Sequence, residues 1–537
     1  RWATHGAPTR ANAHPHTDCK RRIALAHNGI IENYKELRRI LERKGHRFAS
    51  ETDTEVIAHC VEDELRGLQR SANGDQMSEA FRLTLNRLRG AYAIALIDKE
   101  RPSSIYFARL GSPLVVGIGD GEQFVASDPA ALVGRAKKVI YVGERQWGKI
   151  GDGEISLTPK THIIEPLEWN TDAARKGKFP FFMMKEIFEA PDTVRAAQMG
   201  RLMTNGGFVK LGGLESVAHK LRAMKRLKII ACGTSYYAGL IGERLIETFA
   251  HIPVEAHIGS EFRYREEPVE RGTVCLFISQ SGETADTIAS LRKAKENGLL
   301  TLGLVNVVGS AIARETDAGV YNHAGPEIGV ATTKAFISQL TVLGMMAMFF
   351  AQLRKIPLPP GAVNELGGIA DKVKAVLANA GDVERIAKRY AAYENFLYVG
   401  RGYHAVTALE GALKLKEISY AHAEGYAAGE MKHGPIALIS KTFPTVAIIP
   451  QNDAYVKTYS NLQEIRARGG PIFAIATEGD ANIRDAADDV FFIPPTKEWL
   501  EPLLAIIPLQ LFAYYIAVGR GYDVDKPRNL AKSVTVE

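Results

Sequence analysis

Short, unbroken apolar runs alternate with longer helical runs through the C-terminal two-thirds of the chain, and glycines stand at the joins. Residues 227–233, Leu-Lys-Ile-Ile-Ala-Cys-Gly, read as a buried strand ending in a glycine turn, with a helix following from Tyr236 to Ala250. The same pattern returns at 396–402, Phe-Leu-Tyr-Val-Gly-Arg-Gly, followed by a helical run from Ala405 to Tyr420. Downstream of the first copy, Val274 to Ser279 leads into a helix ending at Asn297-Gly298 and then a strand from Leu300 to Asn306. Thr445 to Pro450, a helix ending at Arg468-Gly469, and Pro471 to Thr477 repeat that series. Two copies about 170 residues apart, each alternating strand with helix, predict two doubly wound parallel sheets. Ligands of such α/β folds bind beyond the carboxyl ends of the strands.

The first part of the chain follows another rule. Tyr92 to Asp98, Ser104 to Arg109, Leu114 to Ile118 and Gln123 to Ala126 are closely spaced short strands, which predicts an α+β domain built on antiparallel hairpins. The expected organisation is an N-terminal domain over 1–170, a linker and connecting helix over 171–213, repeat domains over 214–355 and 385–522, and a tail over 523–537. Two apolar stretches, Ala335 to Ala351 and Pro502 to Gly519, approach the length of a membrane span. Ser338, Gln339, Thr341, Gln510 and Pro508 interrupt them, so both are expected to be buried helices and no membrane partner is expected.

Charge and cysteine content narrow the picture. The 67 basic and 61 acidic residues are spread along the whole chain, so the net charge of +6 forms no concentrated basic face and argues against a nucleic-acid partner. Cys19, Cys60, Cys232 and Cys275 are too few and too scattered for a disulfide framework or a zinc site, and they suit the reducing cytoplasm.

The chemistry concentrates at a few places. Ser279-Gln280-Ser281-Gly282-Glu283-Thr284 joins a buried strand to a helix, where amides, hydroxyls and the helix dipole favour an anion; an ordinary helix cap would use the same residue types. The matching turn of the second copy, Pro450-Gln451-Asn452-Asp453, has no serine, which implies one phosphate site per pair of repeats. Glu410, Lys414 and Glu417 share one helix face, as either catalytic groups or plain intrahelical ion pairs. His433 stands in a glycine-flanked loop.

These segments carry a resemblance. Cys-Gly-Thr-Ser at 232–235, Ser-Gln-Ser-Gly-Glu-Thr at 279–284, Glu-Ile-Gly-Val-Ala-Thr-Thr-Lys at 327–334 and the terminal Asp-Lys-Pro-Arg-Asn-Leu-Ala-Lys-Ser-Val-Thr-Val-Glu are similar to the isomerase half of the glucosamine-6-phosphate synthase family, built on sugar isomerase (SIS) domains. The resemblance implies that Thr234, Ser235, Ser279, Gln280, Ser281 and Thr284 hold the sugar phosphate, with Val330 and Thr332 near the sugar hydroxyls. It implies that Lys532 condenses with the keto carbon of fructose 6-phosphate. That role needs a neutral amine, so burial or a neighbouring cation is expected around it. Glu417 is then the base that moves a proton between the first two sugar carbons, Lys414 stands beside it, and His433 opens the ring. No metal or organic cofactor is implied.

Arg1-Trp2-Ala3-Thr4-His5-Gly6, His14, His27-Asn28-Gly29 and Glu51-Thr52-Asp53-Thr54-Glu55 resemble the glutaminase domain of the same family, which has the Ntn-type amidotransferase fold. Taken singly, Asn28-Gly29 also makes a good turn and Thr52 with Glu55 a good capping box. The resemblance implies that Arg1 pairs with the glutamine carboxylate, Asp53 takes its ammonium, Thr4 and His5 line the pocket, and Trp2 gates ammonia. Asn28 and the Gly29 amide would form an oxyanion hole. In the family the nucleophile is a cysteine at the mature amino terminus. The chain begins at Arg1-Trp2, so this domain is expected to be N-terminally truncated, without that cysteine and without glutamine hydrolysis.

The implied reaction makes glucosamine 6-phosphate and glutamate from fructose 6-phosphate and glutamine, opening the amino-sugar pathway, with a homodimer expected. The alternatives are an ammonia-dependent sugar-phosphate isomerase or deaminase, and a non-catalytic SIS sensor.

Overall fold

The computed structural model describes the chain except for residues 1–4, 8, 69–74, 152, 163, 168–174, 267 and 535–537, and the side chain of Ala130. The chain divides into two compact units, one built chiefly from residues 1–175 and the other from most of 176–532.

In the first unit the hairpin pattern becomes two antiparallel sheets. Among the described residues, the larger has six strands in the order His16–Thr17, Ile23–Ile31, Gly90–Asp98, Arg101–Leu110, Trp147–Gly151, Glu154–Thr158. Lys138–Tyr141, Val115–Ile118 and Gln123–Ala126 belong to the smaller sheet. The helices Tyr34–Arg43, Glu55–Gly67 and Gln76–Arg87 pack Leu37, Leu41, Val56, Ile57, Ala80 and Phe81 against Ile23, Leu25, Ile94 and Leu96 of the larger sheet.

The second unit holds both copies of the repeat. Each is a five-stranded, all-parallel sheet. The first has the order Val254–Ile258, Arg226–Ala231, Thr273–Ser279, Leu300–Val305, Ala318–Tyr321, and the second has His422–Ala427, Asn395–Gly400, Thr445–Ile449, Ile472–Thr477, Asp489–Ile493. Strand order is the same in the two copies, as a duplicated unit requires. The sequence pattern did not announce the first and last strand of either order, which are short and mixed in polarity.

The apolar stretches are the buried helices Lys334–Leu353 and Glu501–Gly519, each long and apolar enough to cross a bilayer yet packed inside the core. Their polar residues find partners or helix turns: the Gln339 amide donates to Ser235 Oγ at 2.9 Å, and the Gln510 amide reaches the Thr333 carbonyl at 3.3 Å. The two copies are not separate cores. One continuous apolar cluster runs from Met183 and Ile187 through Phe336 and Met346 to Phe396 and Phe512. The stretch expected as linker and connecting helix therefore divides: Phe182–Phe188 and Ala190–Gln198 are helices with Met183, Ile187, Ala190, Val194 and Ala197 fully buried in that core.

Candidate active site

The serine-rich turn lies at the carboxyl end of the strand Thr273–Ser279, in the middle of the first parallel sheet, and leads into the helix Ala285–Glu296. Ser279 is buried and its Oγ accepts the Gly282 amide at 2.9 Å, which closes the turn. Gly282 has φ +68°, and a Cβ there would lie 2.0 Å from Ser310 Oγ, so only glycine lets the backbone pass. Ser281 and Thr284 are half-buried beside it. Thr234 and Ser235 open the helix Gly233–Ala250 after the adjacent strand. The corresponding turn of the second copy meets a buried carboxylate instead: Glu501 Oε2 takes the Asn452 amide at 2.9 Å and lies 2.8 Å from His404 Nε2. That turn is thus tied to a carboxylate and a histidine rather than to hydroxyls.

The helix Tyr403–Ser419 of the second copy brings its charged face to the first copy's Thr234. Lys414 Nζ donates to Thr234 Oγ1 at 3.0 Å, and the Thr234 hydroxyl donates to Glu410 Oε1 at 3.2 Å. Lys414 also lies 2.7 Å from Glu417 Oε2 and 3.5 Å from Glu410 Oε1, with Lys414 and Glu410 fully buried. Burial pushes the Glu410 carboxyl up to about 8, and Lys414 only partly restrains it. Burial opposes the charge on Lys414, but the two carboxylates outweigh it and hold the ammonium above its ordinary value. Glu417 keeps an exposed edge, 20% of its side chain, which leaves one carboxylate of the set open to a ligand. His433 sits on an exposed 3-10 turn, Glu430–His433, and is not brought to this group within the chain.

The tail is tied down at Asp525 and Lys532. Asp525 is buried, and its two oxygens accept the Phe182 and Met183 amides at 2.9 Å each at the start of the helix Phe182–Phe188. Its carbonyl takes the Val330 amide at 3.1 Å. Seven residues further on, Lys532 Nζ lies 2.6 Å from Glu327 Oε2. Glu327 is buried and also accepts the Thr333 and Ala335 amides at 2.9 and 3.1 Å. Burial alone would raise the Glu327 carboxyl, but Lys532 and those amides hold it below the usual range. Behind it, burial and the nearby Glu327 push Glu186 up to about 7. The expectation for Lys532 was burial or a neighbouring cation; the structure gives a largely buried side chain beside an anion, because the loop that begins at Glu327 turns its carboxylate inward. Thr332 and Val330 lie half-buried on the same loop.

In the first unit Asp53 is almost fully buried and accepts the Ile31 amide at 2.8 Å, with His5 Nδ1 3.5 Å away. Burial raises the Asp53 carboxyl. Asn28 and Gly29 do not form a turn. They continue the strand Ile23–Ile31, opposite Ala93 and Tyr92. A Cβ on Gly29, which has φ +139°, would lie 2.0 Å from the Ala91 carbonyl oxygen. The Thr52–Glu55 capping box is also replaced: Glu55 accepts the Ala49 and Ser50 amides at 2.7 Å each, while Thr52 Oγ1 meets His16 Nε2 at 3.2 Å. His14 and His27 approach Thr54 Oγ1 at 3.4 and 3.0 Å. Arg1, Trp2 and Thr4 lie outside the described residues.

Comparison with known proteins bears on both units. The family model for the SIS domain matches residues 220–349 and 391–520, and that for the glutamine amidotransferase domain matches residues 6–134. A glutamine–fructose-6-phosphate aminotransferase (isomerizing) of Chlorobaculum tepidum is 47% identical over 544 residues, with all of this chain and 88% of the relative's length covered. The chain belongs to this aminotransferase family. A second member, from Bacteroides thetaiotaomicron, is also 47% identical with the same coverage. The solved C-terminal domain of glucosamine-fructose-6-phosphate aminotransferase from Francisella tularensis superposes with a TM-score of 0.63 at 37% identity, over 66% of this chain and all of that one.

Within this aminotransferase family fold, sequence reasoning had assigned Lys532, Glu417 and Lys414 but missed two buried partners. Glu327 opens the motif at 327–334 without a role of its own, and Glu410 was read only as one member of the charged helix face, not as the buried partner of Thr234. Their signal was an acidic residue in an apolar setting, which periodicity alone reads as solvated surface.

Proposed function

We propose that this protein transfers the amide nitrogen of glutamine to fructose 6-phosphate and isomerises the product to glucosamine 6-phosphate, releasing glutamate. The observation that carries the reading is the convergence, in one unit, of a serine turn at a strand end, a buried Glu–Lys–Glu helix face and a docked tail lysine.

Thr234, Ser235, Ser279, Gln280, Ser281 and Thr284 bind the phosphate, and Val330 and Thr332 flank the sugar hydroxyls. The Lys532 amine attacks C2 of the open-chain ketose and water leaves, giving an imine; ammonia then displaces the lysine. Glu417 takes a proton from C1 and returns one to C2, so the C2 imine becomes an amine as C1 becomes an aldehyde, with no external oxidant or reductant. General base help of this kind contributes about a hundred- to ten-thousand-fold in rate. Glu417, in ion contact with Lys414 and partly open, suits that shuttle. His433, exposed on its turn, opens the ring from a neighbouring copy in a homodimer.

In the first unit Asp53 and His5 hold the amino end of glutamine, Arg1, Trp2 and Thr4 complete the pocket, and Asn28 with the Gly29 amide stabilises the oxyanion, worth about 3 kcal/mol per donor. None of the chain's four cysteines sits in a setting that activates a thiol. Cys60 is fully buried and burial pushes its thiol up to about 12, Cys275 is fully buried, and burial also raises Cys19 and Cys232. Four cysteines outside any disulfide suit the cytoplasm.

The test is borohydride reduction of the full chain with fructose 6-phosphate, followed by peptide mass spectrometry. A hexitol phosphate adduct on Lys532 is expected. An adduct on another lysine, or none, would overturn the assignment.

A further inference from the structure

Cys19, His46, His59 and Glu62 come from three separate segments of the first unit, and their ligand atoms all lie within 4.8 Å of one another. Cys19 is in the loop between the strands His16–Thr17 and Ile23–Ile31, His46 follows the helix Tyr34–Arg43, and His59 and Glu62 share one face of the helix Glu55–Gly67. Cys19 Sγ is 3.7 Å from His46 Nδ1 and 3.5 Å from His59 Nδ1; the two Nδ1 atoms are 3.3 Å apart. Glu62 Oε2 is 3.0 Å from His46 Nδ1 and 3.6 Å from His59 Nδ1.

These five separations outnumber the protons available to fill them. A thiol brings one, and each Nδ1 at most one. Oε2 of Glu62 already accepts the Cys19 amide at 3.3 Å. The arrangement instead matches a metal's coordination shell: bond lengths of about 2.3 Å to sulfur and about 2.0–2.1 Å to nitrogen or oxygen at tetrahedral angles place neighbouring ligand atoms about 3.3–3.6 Å apart.

The surroundings are those of metal ligands. His59 Nε2 lies 3.5 Å from Glu55 Oε1, a carboxylate behind the distal nitrogen that suits a metal-bound imidazole, while the nearest carboxylate to His46 Nε2, that of Asp63, is 4.0 Å away. The Arg47 amide donates to Cys19 Sγ at 3.4 Å, and Arg66 holds the other oxygen of Glu62.

We propose that Cys19, His46, His59 and Glu62 form a closed, tetrahedral zinc(II) site that staples the loop, the turn and the helix of the first unit. Four protein ligands leave no open position, so the role is structural. Sequence reasoning had set zinc aside because the cysteines are scattered. The site needs only one of them, and its other ligands are separated by spacings that match no finger motif.

The test uses the full chain, purified without added metal and dialysed against metal-free buffer, then analysed by elemental mass spectrometry and by cobalt(II) titration after chelation. One zinc per chain is expected, and cobalt is expected to give the strong visible bands of tetrahedral coordination with a near-ultraviolet thiolate band. Cys19→Ser, a near-isosteric change at an exposed residue, should abolish the thiolate band, and His59→Gln should lower zinc content at least tenfold. Substoichiometric zinc in the wild type together with a weak octahedral cobalt spectrum would overturn the site, as would a thiolate band that survives in Cys19→Ser. The wild-type spectra decide the matter even where a variant does not fold.

Discussion

Lys532 Nζ and Glu327 Oε2 are 2.6 Å apart, joining the C-terminal tail to a loop 205 residues earlier in the chain. The contact occupies the tail nitrogen that imine formation uses, so substrate has to displace Glu327 from it before Lys532 can attack.

Glu327→Gln tests that relationship. Glutamine keeps an oxygen for the Thr333 and Ala335 amides but removes the anion. Without it Lys532 loses the partner that positions its nitrogen, so borohydride trapping at Lys532 should slow at least tenfold. A trapping rate equal to the wild type's would sever the link between the two groups.

Asp525 anchors the tail by accepting two amides at the head of the helix Phe182–Phe188 and pairing with Lys176 at 3.2 Å. Asp525→Ala leaves those buried donors unpaired, at a cost of about 1–3 kcal/mol. Trapping at Lys532 should slow at least tenfold while the dissociation constant for fructose 6-phosphate, read by calorimetry, stays within about threefold, since 0.6 kcal/mol is already nearly that factor.

Gly282 passes close to Ser310. Gly282→Ala should weaken binding of fructose 6-phosphate at least tenfold, because its Cβ would fall 2.0 Å from Ser310 Oγ. Adding Ser310→Gly removes the clash but not the positive φ, so the double variant should recover part of the lost affinity. No recovery would mean that backbone strain, not the clash, sets the loss.

Glu410 gives a pH dependence. Its folded value is raised to about 8 from an ordinary 4.5, so between those limits the unfolded chain releases a proton that the folded one retains. The group's contribution to stability is complete below about pH 4.5 and declines as pH rises toward 8. Glu410→Gln should flatten the fall of melting temperature over that window. A variant whose melting temperature falls as steeply as the wild type's would show that another group titrates there.

Much of the architecture was legible in the order of residues. Buried parallel strands announce themselves as apolar runs closed by glycine, as at Leu227–Gly233 and Phe396–Gly402, and duplication made the second copy readable from the first. Glycine and serine at the strand end marked the anion turn, since few other residues allow that backbone. Edge strands such as Val254–Ile258 were not legible, because most of their positions are only part-buried and polar residues break the apolar run.

The sequence by itself determined the repeat, the antiparallel first unit, the serine-rich turn at a strand end and the charged face of the helix Tyr403–Ser419. Only the tertiary structure decided which charges meet. Thr234 with Lys414, Glu327 with Lys532 and Cys19 with His46 and His59 are distant along the chain, and periodicity carries information only within one helix or strand. Burial is likewise a property of the packed whole. It turns Glu410 and Glu186 from acidic letters into groups whose proton is held toward neutral pH, and no local pattern encodes that.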